Sequence, residues 1–273
     1  VVHDMDSGLR LDSLQNSHPI EAEVRDPSEI SQLFDAISYS KGASIIRMLE
    51  QFIGPERFQK GLYRYLSDHR YGNARTNDLW EAMEEESDQP VITVMNSWIR
   101  QTGFPVIKAV VQREREEVAV HLTQQRFLYS GPNQDPSLWQ VPISVSGQGA
   151  SGIDVVLMEK RHAILHVEKA LPPSQAGWVK LNPQQTGFYR VDYAEDEWRR
   201  LIPAVESQEL PAADRLGLQG DAFAMARAGL IPLTQFLRLA RAYRNEQEYP
   251  VWADFAANLR QLDFLLSKEP YHA

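Results

Sequence analysis

A pair of histidines in this sequence has a spacing that enzymes use to bind zinc, and a glycine-rich run has a spacing that enzymes use to bind dinucleotides. His162 and His166 lie four residues apart, so on a helix both imidazoles would face one side and could bind zinc. The residues between them are apolar and no glutamate follows the first histidine to act as a base, so we expect two histidines on one face of a half-exposed strand. Residues 147–152 spell G-x-G-x-x-G, but a strand-like run follows them where a dinucleotide site needs a helix. We therefore predict a hairpin loop there.

Other ionisable residues give no complete catalytic set. His3, Asp4 and Asp6 could offer metal ligands, but charged residues near a terminus usually face solvent. Residues 84–86 are three glutamates, which we expect to end a helix in water rather than to form a pair of catalytic carboxylates. The sequence has no cysteine, no G-x-S-x-G nucleophile motif and no P-loop, so acyl-enzyme and phosphoryl chemistry lack their usual residues.

Any site must be positioned by helices and strands, and the sequence up to Gly103 has the pattern of helices. Apolar residues in it follow one face of a helix that Gly54 and Pro55 end. A later helix is expected to be capped by Thr76 or Asn77, with the acidic Asp78 favourable in its first turn. We predict a compact bundle of short helices.

The second segment begins at Pro105 and has a period of two. Its alternating runs predict strands over 106–111, 118–123, 139–145, 153–158, 163–167 and 187–193. Short strands separated by polar, glycine or proline turns predict a small antiparallel sandwich. After Glu195 the period is helical again, and the last helices are compatible with the first turns of a solenoid.

Composition limits the classes of function. The 273 residues are 43% hydrophobic and 24% charged, which is typical of a globular protein of about two domains. The net charge of −9 and the lack of a basic stripe argue against a nucleic-acid partner. Apolar stretches are all shorter than the roughly 20 residues of a membrane span. A cytoplasmic location is the default expectation, and a start at valine rather than methionine indicates that the beginning of the gene product, with any export signal, is missing.

Five phrases along the chain resemble the zinc aminopeptidases of the aminopeptidase N and puromycin-sensitive aminopeptidase family, a group of gluzincin metallopeptidases. They are D-S-L with S-H-P-I (12–20), F-D-A-I-S-Y-S-K-G-A (34–43), W-I-R-Q-T-G-F-P (98–105), W-V-K-L-N with G-F-Y-R-V-D-Y (178–193), and D-R-L with D-A-F (214–223). Each phrase is weak alone, but the five occur in the family's order. The chain is thus similar to a C-terminal portion of such an enzyme.

The resemblance implies a multidomain α and β fold. Residues 1–103 are expected to be the helical half of a thermolysin-like catalytic domain, 104–193 a small antiparallel β-sandwich, and 194–273 the beginning of an α-helical, solenoid-like domain. The activity implied is hydrolysis of the N-terminal residue from peptide substrates by a zinc-bound water, in peptide catabolism. Tyr39 matches the family's tyrosine that donates a hydrogen bond to the oxyanion, which makes it the one catalytic residue carried over. Taken alone, Tyr39 would be expected only to pack at the start of a helix over 40–53.

Neighbouring residues in the matched phrases are open to two readings each. Asp35 could orient the neighbours of Tyr39 or cap a helix, and His18 is expected to be a satisfied structural histidine in an extended turn before proline. Lys41 and Arg47 could meet substrate carboxylates or simply face solvent. Arg190 could bridge domains or point outward from its strand.

The zinc motif H-E-x-x-H, its downstream glutamate and the G-x-M-E-N phrase do not occur in the sequence. In the family all three precede the tyrosine phrase, so we expect truncation, with zinc in the full-length parent and no metal or other cofactor bound by this chain. The chain alone is then expected to be inactive. Loss of the upstream half would leave apolar helix faces uncovered, so residues 1 to about 103 are expected to be less stable than the sandwich.

Two alternatives stay open. One is a non-catalytic scaffold relative of the same architecture, although an oxyanion donor within an intact phrase favours an enzyme. The other is the epoxide-hydrolase branch of the family, in which a similar tyrosine occurs. Neither the preferred N-terminal residue nor the oligomeric state can be read from the sequence.

Overall fold

The computed structural model describes residues 2–22, 24, 26–27, 34–114, 117–150, 152–166 and 177–268. Its first part is helical, as the pattern predicts. The helices are α1 (Val2–Asp12), α2 (Gly42–Ile53), α3 (Pro55–Asp68), α4 (Thr76–Ser87) and α5 (Val91–Ile99). Gly54, with a φ of 87°, ends α2, and Pro55 begins α3, where its fixed φ suits the first turn. The Gly-Pro pair thus acts as the predicted break.

One detail of the helical part differs from the prediction. Helix α4 begins at Thr76, so its cap is Arg75 rather than Thr76 or Asn77. The carboxylate of Asp78 accepts the backbone N–H of Arg75 at 2.6 Å, which satisfies a donor that the helix leaves open. Asp78 is therefore favourable in the first turn, as expected, and it supplies the cap in place of a hydroxyl or amide.

The middle of the chain forms two small sheets. The strands are β1 (Pro105–Glu114), β2 (Glu117–Arg126), β3 (Val141–Gly147), β4 (Asp154–Met158), β5 (His162–His166), β6 (Val179–Leu181) and β7 (Arg190–Tyr193). One sheet has the order β5-β2-β1-β7 and the other β4-β3-β6. Inward-facing residues of both sheets, such as Ile107 and Ile143, belong to one hydrophobic core.

Two features of the sheets correct the prediction. Strand β1 pairs with β7 in parallel, from Val106 opposite Arg190 to Ala109 opposite Tyr193, so the strand set is not purely antiparallel. Strand β6 was not predicted, because three residues are too short to show a period of two. The predicted strand over 163–167 corresponds to β5, and its last residue, Val167, lies outside the described residues.

The last part of the chain is helical, with α6 (Glu195–Glu206), α7 (Ala212–Arg227), α8 (Leu233–Ala240) and α9 (Tyr249–Leu266). Aromatic rings fill the space between these helices. Phe223 of α7 meets Phe236 of α8 at 5.3 Å between ring centroids, and Tyr243 stacks on Phe255 of α9 at 5.6 Å. The return to helices after Glu195 is confirmed. Within the described part of the chain, no helix has both the length and the apolar character to cross a membrane.

Candidate active site

Tyr39 lies in a short π-helical segment, Ile37–Lys41, that leads into α2. We call Ile37–Lys41 the π turn. The N–H of Lys41 donates to the carbonyl of Ala36 at 3.0 Å, one residue further back than in an α-helix. Wide turns of this kind are rare and occur frequently at functional sites. The sequence predicted a helix start here but not its widening.

The Tyr39 side chain points out of this turn with 62% of its surface exposed. Its ring lies 6.1 Å from that of Phe34, centroid to centroid. Among the residues that the structure describes, none forms a hydrogen bond with its hydroxyl. The phenol is therefore free to donate to a ligand, whereas the hydroxyls of Tyr193 and Tyr243 are buried against the carbonyls of Leu181 and Arg215.

Asp35 and His18 hold the N-terminal end of the π turn. One oxygen of the Asp35 carboxylate accepts the N–H groups of Ile37 and Ser38 at 2.8 and 3.2 Å. The other lies 2.9 Å from Nε2 of His18. Burial opposes the charge on Asp35, but the hydrogen bonds from His18 and the two N–H groups outweigh it and lower the pKa of the carboxyl.

His18 is satisfied on both ring nitrogens, as expected of a structural histidine. Nδ1 lies 2.9 Å from the carbonyl of Pro19, and Nε2 faces Asp35. Burial by itself lowers the pKa of His18, but two acceptors, one on each side of the ring, favour the doubly protonated imidazolium and raise the pKa above its ordinary value. His18 and Asp35 therefore each stabilise the charged form of the other beside the π turn.

Lys41 holds the C-terminal end of the π turn, and neither reading of it from the sequence is correct. Its side chain is fully buried, with Nζ 2.9 Å from the Asp12 carboxylate and 3.0 Å from the carbonyl of Gly103. Asp12 also accepts the N–H of Gly103 at 2.9 Å and the hydroxyl of Ser17 at 2.6 Å. Burial lowers the pKa of Lys41, and the Asp12 carboxylate opposes this by stabilising the ammonium. Lys41 is thus unavailable to substrate.

Four of the five matched phrases meet around Lys41. Asp12 comes from the first, Lys41 from the second, Gly103 from the third and Phe188 from the fourth, whose ring centroid lies 6.0 Å from the ammonium. Gly8 of α1 closes the packing, because a Cβ there would lie 3.1 Å from the backbone nitrogen of Lys41 and 3.2 Å from the Phe188 ring. Residues far apart in the sequence therefore share the task of supporting the π turn.

Arg47, which was expected to face solvent or meet substrate, instead binds backbone carbonyls of the protein. Its guanidinium donates to the carbonyls of Gln185 and Gln184 at 2.8 and 3.1 Å. Both glutamines have positive φ angles, of 53° and 60°, in the turn Pro183–Gln185 between β6 and β7. Arg47 thus fastens α2 to a strained turn of the sheet region.

The remaining candidates from the sequence form no second site. His162 and His166 are exposed on β5, as predicted, and residues 147–152 lie in the hairpin between β3 and β4, with Ser151 outside the described residues. Asp6 was expected to face solvent, but its carboxylate pairs with Arg10 and lies 3.5 Å from Arg190. The His3 side chain is outside the described part.

The run of glutamates at 84–86 lies in the last turn of α4, as expected of a helix end, and it also contacts the neighbouring helices. Glu84 accepts the N–H of Ile92 at 2.9 Å and so connects α4 to the start of α5. Glu85 and Glu86 both pair with Arg64 of α3. The three carboxylates join helices and form no catalytic pair.

The sequence contained a signal for the burial of Lys41 that our reading missed. Ile37, Lys41 and Ile45 are spaced by four, so on a helix Lys41 shares the face of two apolar residues. Both isoleucines are buried in the structure. A lysine on that face needs a carboxylate partner, and Asp12 supplies it.

Across the described ranges, no group of three or more histidine, cysteine, aspartate or glutamate residues is arranged to hold a metal ion. The residues around Tyr39 therefore do not fit a zinc site by themselves.

Comparisons with known proteins match both ends of the chain. Residues 1–98 match the peptidase family M1 domain, and residues 178–273 match the ERAP1-like C-terminal domain. The first match contains the π turn with Tyr39, and the second begins just before β6.

Similar proteins are aminopeptidases from distant organisms. Aminopeptidase M1-B of Oryza sativa subsp. japonica is 41% identical over 251 residues, which cover 90% of this chain and 28% of that protein. Puromycin-sensitive aminopeptidase of Caenorhabditis elegans is 38% identical over 261 residues, or 94% of this chain and 27% of that protein. Aminopeptidase A of Gloydius brevicauda is 41% identical over 263 residues, or 92% and 26%. This chain, which spans little more than a quarter of the length of such relatives, belongs to the M1 peptidase family.

Proposed function

We propose that this chain is part of an aminopeptidase that hydrolyses the N-terminal residue from peptides, and that Tyr39 is its oxyanion donor. The relatives at 38% to 41% identity are named aminopeptidases, which supports the reaction class. The exposed Tyr39 side chain, whose hydroxyl makes no hydrogen bond with any described residue, lies on a turn held at both ends, and this carries the residue assignment. The substrates proposed are peptides with a free N-terminus, and a cytoplasmic location stays a prediction.

The three-domain division is proposed with the same boundaries as from the sequence. Residues 1–103 would be the helical part of a thermolysin-like catalytic domain, 104–193 a β-sandwich and 194–273 the beginning of a helical, solenoid-like domain. The order of helices, strands and helices supports it. The ERAP1-like match begins at residue 178, inside the proposed sandwich. Strands β6 and β7 therefore belong both to the proposed sandwich and to the ERAP1-like match.

Tyr39 would act on the carbonyl oxygen of the peptide bond that is cleaved. When water attacks the carbonyl carbon, negative charge grows on that oxygen, and a phenol O–H aimed at it can donate a hydrogen bond. A donor aimed at this charge is typically worth about 3 kcal/mol in the transition state. Since the contact strengthens as charge develops, it should raise kcat more than it tightens substrate binding.

Enzymes of the M1 family use zinc in general, and bound zinc lowers the pKa of a water and polarises the carbonyl. The described residues do not fit that ion, so the proposal concerns the phenol of Tyr39 alone. The full-length enzyme is the proper object of the test, because we expect this chain alone to bind no catalytic zinc and to cleave nothing.

Tyr39→Phe in the full-length enzyme should lower kcat on aminoacyl 4-nitroanilides by about 100-fold, with KM changed by less than about 3-fold, because only a transition-state contact is lost. The matched control is Tyr63→Phe, since Tyr63 is a similarly exposed tyrosine on α3. A kcat within 3-fold of the parent's for Tyr39→Phe would contradict the assignment. A panel of leucyl, alanyl, glutamyl and arginyl substrates avoids dependence on one N-terminal preference.

A further inference from the structure

We propose that His18 and Asp35 are positioning residues that aim the Tyr39 hydroxyl by fixing the π turn. This inference rests on the proposed function of Tyr39. It assigns a part in catalysis to two side chains that need not touch substrate, and to His18 a role beyond that of a satisfied structural histidine.

Asp35 controls the direction in which Tyr39 leaves the backbone. Its carboxylate accepts the N–H groups of Ile37 and Ser38, the two residues before Tyr39. Its own carbonyl accepts the N–H of Tyr39 at 3.1 Å. Three successive N–H groups of the turn are therefore bound to a single residue, so a rotation of Asp35 would move the Tyr39 backbone.

The backbone matters because little else holds the Tyr39 side chain. Its ring has one described aromatic neighbour, Phe34, at 6.1 Å, and more than half of its surface is open. A hydroxyl at the end of such a side chain follows the orientation of its Cα–Cβ bond. Since a misplacement of about 1 Å in a reacting group can cost about 100-fold in rate, the turn must be fixed closely.

His18 fixes Asp35 from outside the turn. It belongs to residues 12–18, which we call the clamp segment and which begins at Asp12, the last residue of α1. The clamp segment holds both ends of the π turn, since His18 binds Asp35 at one end and Asp12 pairs with Lys41 at the other. The hydroxyl of Ser17 donates to Asp12 at 2.6 Å and so ties the two contacts together.

The test is a double-mutant cycle in the full-length enzyme. His18→Ala should lower kcat by about 10-fold with KM changed by less than about 3-fold, because the turn loses its outer support while substrate binding elsewhere is intact. His18→Gln, whose amide nitrogen can still donate to Asp35, should retain kcat within about 3-fold. In the Tyr39→Phe background, His18→Ala should have less than a 2-fold effect, because the hydroxyl that it aims is already gone.

The protein contains a matched control pair. His69 also faces a backbone carbonyl through Nδ1, that of Tyr65 at 3.0 Å, and a carboxylate through Nε2, that of Asp78 at 3.2 Å. The side chains of His69 and Asp78 are each 29% exposed, and those of His18 and Asp35 are 27% and 28% exposed. Since the His69 pair joins α3 to α4 and, within the described part of the chain, makes no contact with the π turn, His69→Ala should leave kcat within about 2-fold.

The outcomes separate this inference from the proposed function. If Tyr39→Phe leaves kcat unchanged, the proposed function fails and this inference with it. If Tyr39→Phe lowers kcat but His18→Ala lowers it equally in both backgrounds, or not at all, only the positioning role is overturned. Should His18→Ala fail to fold, Asp35→Ala gives the same cycle, because it removes the carboxylate that lies against His18 and accepts the N–H groups of Ile37 and Ser38. An equal loss in both backgrounds again overturns the proposal.

Discussion

Lys41 shows how much of this site depends on a single buried charge pair. The ammonium and the Asp12 carboxylate are both fully buried at 2.9 Å, so each stabilises a charge that would otherwise be costly away from water. Lys41 is also only two positions from Tyr39, the residue proposed as oxyanion donor. Its loss should therefore affect stability first and the geometry of the π turn second.

Lys41→Met should destabilise the protein by about 3 to 5 kcal/mol, because it leaves the Asp12 carboxylate buried without its partner. Adding Asp12→Asn should recover part of the loss, since the amide oxygen is neutral and can still accept from Gly103 and Ser17. Urea unfolding followed by tryptophan fluorescence measures the difference.

Lys60→Met is the control for Lys41→Met, because Lys60 is an exposed lysine on α3 and a surface change of this kind shifts stability by only about 0.5 kcal/mol. If the two lysine variants unfolded at the same urea concentration, the Lys41–Asp12 pair would carry no special weight. The idea that it supports the π turn would then have to be abandoned.

At the residue scale, the sequence predicted which tyrosine to follow but not how it is held. The flanking phrase pointed to Tyr39, whereas Lys41 and Arg47 were expected to face solvent or substrate because that is the usual place for cations on a helix. Their actual partners, Asp12 and the carbonyls of the turn Pro183–Gln185, lie 29 and more than 130 residues away. No local pattern encodes contacts of that separation.

At the scale of elements, local periodicity predicted most helices and strands and failed where geometry is set by distant partners. The Gly54-Pro55 break and the alternation of burial along β1 follow from the chain itself. The parallel pairing of β1 with β7 and the three-residue strand β6 depend on neighbours in space. The π turn is a third case, because its widening is held by Asp35 and Lys41 contacts that cross from the clamp segment.

Helix α7 packs against the turn Pro183–Gln185 so closely that only glycine fits at one position. A Cβ on Gly217 would lie 1.8 Å from Nε2 of Gln185 and 2.1 Å from its Cδ. The Gln185 side chain is buried and its Nε2 donates to the carbonyl of Asn182 at 3.4 Å, so a displaced amide would lose this contact inside the protein. The absence of a side chain at Gly217 therefore permits the contact between α7 and the strained turn.

Gly217→Ala should destabilise the protein by about 1 to 3 kcal/mol through overpacking, despite the better helix propensity of alanine. Gly220→Ala on the same helix is the matched control, because its Cβ meets nothing nearer than Arg190 at 3.8 Å and should give a gain of up to about 1 kcal/mol. Thermal unfolding distinguishes the two. Adding Gln185→Ala to Gly217→Ala should restore stability, and failure to do so would locate the strain elsewhere.

At the scale of the whole molecule, Arg190 joins the three parts of the chain. It lies on β7 and is buried, with Nη1 3.2 Å from Asp221 of α7 and Nη2 3.5 Å from Asp6 of α1. Its guanidinium also lies over the Phe127 ring at 5.8 Å. Of the two readings from the sequence, the outward-pointing one is wrong, because the side chain is buried against residues from other parts of the chain. A helix before the sheets, the sheets and a helix after them are thus connected by one cation.

Asp221 makes this junction sensitive to pH. Burial raises the pKa of Asp221, while Arg190 and Lys180 oppose the rise by stabilising the carboxylate. Removing the guanidinium should raise this pKa further, since the strongest opposing charge is lost. A carboxyl whose pKa is higher in the folded state binds more protons there, so the free energy of unfolding should fall as pH rises from about 4 through the folded-state pKa.

Arg190→Met should therefore cost about 3 to 5 kcal/mol at pH 7 and distinctly less near pH 4, where Asp221 can take up a proton. The double variant Arg190→Met/Asp221→Asn should be more stable at pH 7 than Arg190→Met alone, because a neutral amide replaces the buried carboxylate that lost its guanidinium partner. The amide oxygen can still accept the N–H of Val191, which the Asp221 carboxylate accepts at 3.1 Å. Urea unfolding at a series of pH values measures both differences. A loss for Arg190→Met that did not change with pH would mean that the arginine acts through packing on Phe127, and the charged junction would not be what holds the three parts together.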